Sequence, residues 1–145
     1  MKKILFTIVA IFMTIAGSAY AMGDKKGLSL KESLNGTFVL YAFDDGKEIP
    51  IPADKSWPTF KLNPEDKTIT GFAGCNNIRG SFEASKNKIT FGAIAATKKA
   101  CFNDEFEPKI LPLFTKINSF ERKDNLLTLK ENDKILMTWR KLNLD

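Results

Sequence analysis

A chain of 145 residues is long enough for one domain with a real core. It contains no histidine, which removes Ser-His-Asp and Cys-His nucleophile arrangements and the commonest zinc ligand. Its 22 Lys and Arg against 17 Asp and Glu give a formal charge of +5, but the lysines are scattered, clustering only in pairs such as Lys25-Lys26 and Lys98-Lys99. Without a basic stripe, nucleic acid is excluded as a partner.

The first 21 residues read as a signal peptide. Lys2 and Lys3 form a basic start, Ile4 to Ala16 is apolar apart from Thr7 and Thr14, and Ala19-Tyr20-Ala21 is an A-x-A cleavage site. The competing reading, a membrane anchor, needs ~20 apolar residues and finds fewer. No cysteine stands at the cleavage site, so lipid attachment there is not available. The expected mature chain is periplasmic or secreted, has no membrane span, and carries +3 once Lys2 and Lys3 are gone, with 20 basic residues against 17 acidic.

Residues 22–29 are polar and read as a flexible leader, and 30–142 as the domain. Leu30 to Leu34 suggests a short turn. Thr37 to Phe43 is β-branched and aromatic on both faces, a strand covered on both sides. Ile49-Pro50-Ile51-Pro52 belongs to a loop or an edge, because proline has no donor for a central ladder. Trp57 to Leu62 and Thr68 to Phe72 read as strands joined by the turn Asn63-Pro64-Glu65-Asp66. Gly80 to Ala84 and Lys88 to Ile94 follow, joined by Ser85-Lys86-Asn87. A short bent helix is expected from Asp104 to Lys116: Asn103 suits the cap, and Asp104, Glu105 and Glu107 suit the first turn. Pro108 fits early, Ile110, Leu111, Phe114 and Ile117 recur at helical spacing, and Pro112 bends it. Strands over Ser119–Lys123, Leu126–Lys130 and Lys134–Arg140 close the chain, with Ile135, Met137 and Trp139 on one face. The expected fold is mainly β: an antiparallel sheet of about seven or eight strands curled into a small barrel, with one helix packed on it.

The segment Gly71-Phe72-Ala73-Gly74-Cys75-Asn76-Asn77-Ile78-Arg79-Gly80-Ser81-Phe82 interrupts this pattern. Three glycines and two asparagines describe a tight corner between strands. Cys75 and Cys101 are the only cysteines, with 25 residues between them. In an exported protein they suggest a disulfide worth ~3.5 kcal/mol in the chain-entropy estimate; the alternative is two free thiols.

The candidate binding residues are Asn76, Asn77 and Arg79, which a projecting corner would offer to a partner; the alternative is that they only satisfy turn geometry. Asp104, Glu105 and Glu107 suit either helix capping or a weak acid/base or calcium site, and capping needs fewer assumptions. Trp57, Phe60, Phe82, Phe91 and Trp139 either fill a core or line a ligand cavity. No phosphate loop is present, and no catalytic residue, metal or cofactor is expected.

The corner, followed by Thr97-Lys98-Lys99-Ala100-Cys101, resembles the G-x-A-G-C-N-x-x-x-G-x-[YF] and T-x-x-A-C elements of the META domain family, which includes the heat-shock protein HslJ. The resemblance covers most of residues 34–140. It departs at Phe38, where the family commonly has tryptophan. It implies a mostly β, barrel-like envelope or secreted protein with no agreed catalytic residues, and a link to heat stress and antibiotic tolerance. The expected function is therefore non-enzymatic: an exported monomer acting by contact with another envelope protein. The alternatives are a small barrel carrying an apolar ligand and a protease-inhibitor-like binding module.

Overall fold

The computed structural model describes residues 27–50, 57–102 and 104–143. The leading segment 1–21, most of 22–29, Ile51-Pro52 and the capping candidate Asn103 lie outside them.

The chain enters through a one-turn helix, α1 (Leu30–Leu34). Ser29 and Glu32 form a capping box: the Glu32 N–H donates to Ser29 Oγ, and the Glu32 carboxylate accepts from the Ser29 hydroxyl and N–H. These bonds, the hydroxyl's first, hold the Glu32 carboxyl below its ordinary value. Leu34, fully buried, anchors the turn to the core.

Among the described residues nine strands follow: β1 (Gly36–Phe43), β2 (Thr59–Asn63), β3 (Thr68–Phe72), β4 (Asn77–Ser85), β5 (Lys88–Phe91), β6 (Ala95–Ala96), β7 (Ser119–Lys123), β8 (Leu126–Glu131) and β9 (Lys134–Lys141), with α2 (Glu107–Phe114) between β6 and β7. Every pairing is antiparallel. β3, β2, β1, β9, β8, β7, β5 and β4 run in that order, and a β3–β4 pairing closes them into an eight-stranded barrel. The ninth strand, β6, lies on β4 through Ile78↔Ala96 and Arg79↔Ala95. Closure between β5 and β7 rests on one ladder pair, Lys88↔Ser119, helped by the Phe120 N–H donating to the Asn87 carbonyl.

The barrel axis is filled. Phe38, Phe60, Phe114 and Trp139 are essentially solvent-free, and the Phe60 ring lies 5.5 Å from Phe38, 6.2 Å from Phe114 and 4.3 Å from Trp139. Phe91 meets Phe114 edge-on at 4.9 Å. Trp57, Phe60, Phe82 and Trp139 belong to this core and half-buried Phe91 packs against it, so the hollow interior needed by an apolar-ligand carrier is not what these residues build.

Several expectations shift. The strand expected over Lys88–Ile94 stops at Phe91; after Gly92–Ile94 the chain resumes against β4 as β6. The last strand does not keep Ile135 on one face with Met137 and Trp139. Lys130 pairs with Ile135 and Leu129 with Met137, so Leu136 is an extra residue in the ladder. That bulge turns Ile135 outward, and Leu136, Met137, Thr138 and Trp139 are all buried. The helix expected from Asp104 starts at Glu107.

Candidate contact site at the corner

The irregular stretch is shorter than its composition suggests. β3 runs to Phe72 and β4 begins at Asn77, leaving Ala73, Gly74, Cys75 and Asn76 as the corner. Two glycines make it possible. A Cβ on Gly71 would overlap the Thr59 carbonyl and sit 2.6 Å from Phe60 Cα, so β2 and β3 approach here only because none is present. Gly74 has φ +118°, and a Cβ there would meet the Phe106 side chain at 3.0 Å.

Cys75 is buried and bonded to exposed Cys101, with their Cα atoms 5.9 Å apart. Asn76 does not project: it is 5% exposed, and its side chain points into a polar junction. Its Oδ1 accepts from the Lys99 N–H at 2.7 Å and the Thr97 hydroxyl at 2.9 Å. Its Nδ2 donates to Glu107 Oε1 at 2.8 Å, and its backbone N–H donates to Glu107 Oε2 at 2.7 Å. One asparagine therefore ties the corner both to the segment after β6 and to the first residue of α2. The premise that the corner offers Asn76 outward is corrected by this network: a buried amide needs partners, and it has them here.

Asp104 caps the helix from a distance. Its Oδ1 accepts from the N–H groups of Phe106 (3.2 Å) and Glu107 (3.0 Å). Ligand atoms of Cys75, Asp104 and Glu107 lie within 4.8 Å of one another. The Cys75 sulfur is consumed by the disulfide, however, and both carboxylates already accept N–H donors, so the donor set suits hydrogen bonding and not a cation. Glu105 is exposed and outside this group. Next to it, Phe106 packs edge-on against Trp57 at 4.9 Å, and the Trp57 indole donates to the Leu40 carbonyl at 2.7 Å.

What remains outward is Asn77 and Arg79 on β4. The Asn77 backbone is locked to Thr97, its N–H donating to Oγ1 at 3.1 Å and its carbonyl accepting the Thr97 N–H at 3.0 Å. Beyond Thr97 the chain runs exposed through Lys98, Lys99, Ala100 and Cys101 to Phe102, which is 98% exposed. Phe102 was not among the residues expected from sequence. Its signal was available: an aromatic side chain directly after a cysteine, in a stretch with no apolar periodicity to bury it.

Among the described residues no helix is long and apolar enough to cross a membrane, and the disulfide fits an oxidising compartment. No curated protein matches the chain. Among solved structures, an NMR structure of a protein from Burkholderia xenovorans is similar at 21% identity and TM-score 0.63, covering 83% of this chain and 97% of that one. A second NMR structure is similar at 22% identity and TM-score 0.61, covering 79% and 96%. The crystal structure of a DUF4847 family protein from Bacteroides vulgatus matches at 16% identity and TM-score 0.55, covering 78% and 96%. At these identities the likeness concerns the fold. The sequence profile of the META domain matches residues 29–142, from the Ser29 cap of α1 to the end of the barrel. The chain belongs to the META domain family.

Proposed function

We propose that this META-domain protein is an exported, non-enzymatic envelope protein that acts by contact with another protein. The surface used is the outward side of β4 at Asn77 and Arg79 together with the loop Lys98–Phe102. The observation that supports this reading is Phe102. A phenyl ring left in water forgoes about 25 cal/mol for each Å² of apolar surface it could bury. It stands on a segment fastened by a disulfide and by Asn76, so docking would cost little ordering entropy. An aromatic anchor is typical of an interface centre, and Arg79, Lys98 and Lys99 would lie on its charged rim. The apolar run with Ala19-Tyr20-Ala21 supports a periplasmic or secreted location, and the resemblance to HslJ supports a role in stress tolerance.

The test is a photo-reactive phenylalanine analogue at position 102 of the exported protein, activated in intact cells. One discrete adduct is expected, lost when Arg79→Glu and Lys98→Glu are added. Adducts no more specific than those from the same group at Lys86 would overturn the assignment.

A further inference from the structure

The outward side of α2 borders a cleft of about 610 Å³. Three distant segments form it: the connection after β1, the helix, and the β8–β9 hairpin. On α2, Ile110 and Phe114 face the core, while Lys109 and Leu113, at i and i+4, line the opening together with Lys116 in the turn just past the helix end. Its apolar lining is Phe43, Ile49, Pro50, Leu113 and Leu136. Leu136 reaches this position through the bulge in β9.

Charges of both signs ring this lining, and among the described residues only Glu48 of them is held in an ion pair. Glu48 is engaged by Arg140 at 3.2 Å, and Asp45 accepts the Lys47 N–H at 3.1 Å. Asp44 and Glu131 are the other acids at the rim. Among the described residues, none of Lys47, Lys109, Lys116 and Lys134 pairs with a carboxylate. Lys109 instead holds its ammonium 5.9 Å from the centre of the Phe43 ring. An apolar lining with uncommitted cations above it offers one end to a hydrocarbon and the other to an acid.

We propose that this cleft binds a small amphipathic organic anion, an aromatic or short-acyl carboxylate or sulfonate. Its apolar body lies against Phe43, Leu113 and Leu136. Its acid group sits among Lys109, Lys116 and Lys134. Ligand sites of this kind occupy about 300–1,000 Å³, so the volume is suitable. The site is separate from the contact surface at Phe102 and does not depend on it.

The test uses the mature, oxidised protein and three probes: anilinonaphthalene sulfonate, its uncharged relative phenylnaphthylamine, and decanoate as competitor. The sulfonate should bind saturably and be displaced by decanoate, and the uncharged dye should bind at least about tenfold more weakly. Lys109→Glu with Lys116→Glu should weaken the sulfonate by a further tenfold or so. Leu113→Trp, which fills the floor without changing charge, should abolish binding while the near-UV spectrum shows the fold retained. Lys86→Glu, at the β4–β5 turn, should change nothing. Equal affinity for the two dyes, or indifference to the double charge reversal, would overturn the proposal. So would displacement of the dye by an acidic peptide but not by decanoate, which would reassign the cleft to a protein partner.

Discussion

The two ends of α2 are held by opposite means. At its N-terminal end the backbone is irregular, and position comes from a covalent bond and directed polar bonds: Cys75–Cys101, Asn76 to Glu107, and Asp104 to the first helical N–H groups. At its C-terminal half, position comes from burying Ile110 and Phe114 in the barrel, with no side-chain polar bond to the strands among those described. Directed bonds fix a segment whose backbone lacks ladder partners. Undirected burial fixes only one side of a helix and leaves the other free to carry chemistry. The contact loop is attached to the first kind of anchor, and the cleft borders the second.

The largest effect should follow from breaking the apolar anchor. Phe114→Ala removes a ring 4.9 Å from Phe91 and 6.2 Å from Phe60, and should cost about 3–5 kcal/mol by denaturant unfolding. Hydrogen exchange should quicken over Ile110–Ile117, while the amides of Lys99 and Glu107 keep their protection. Loss of protection at both ends together would show that α2 is one cooperative unit and end the comparison.

Replacing Cys75 and Cys101 by Ser should give the converse pattern. The bond joins residues 26 apart, a closure worth ~3.5 kcal/mol on chain entropy. Exchange should quicken from Thr97 to Phe106 and stay slow at Ile110 and Phe114. A variant as stable as the parent would mean that Asn76 alone holds the corner.

The two anchors also differ in how far they can be read from sequence. β3 and β7 begin and end where alternation and turn residues place them, because both patterns are local. The disulfide follows from compartment and number. The capping box was legible too, as Ser-x-x-Glu at 29–32, yet Leu30 to Leu34 read as a turn because the apolar run is so short. The inward turn of Asn76 was not legible. An asparagine in a glycine-rich corner serves φ > 0 or a buried amide equally well, and the choice here depends on Glu107, 31 residues away. The bulge at Leu136 was hidden for a related reason: it is a property of two ladders, and one strand's alternation does not contain it. The cleft is least legible of all, since residues 43–50, 109–116 and 131–136 acquire meaning only when the barrel brings them together.

A smaller effect, with more resolving power, should come from Asn76. Asn76→Ala leaves the Lys99 N–H, the Thr97 hydroxyl and Glu107 Oε1 without their amide partner. Lys99 and Thr97 are exposed, so water replaces part of what is lost. The expected cost is about 2 kcal/mol. Asn76→Asp separates the two roles of the side chain. It keeps an acceptor for Lys99 and Thr97 but sets a second carboxylate 2.8 Å from Glu107 Oε1, where a donor had been. It should therefore be less stable than Asn76→Ala at neutral pH. Adding Glu107→Gln restores a donor facing an acceptor, and the double variant should recover part of the loss. If Asn76→Asp matches the parent, or Glu107→Gln fails to help it, the amide does not bridge the corner to α2, and the polar anchor reduces to the disulfide and the Asp104 cap.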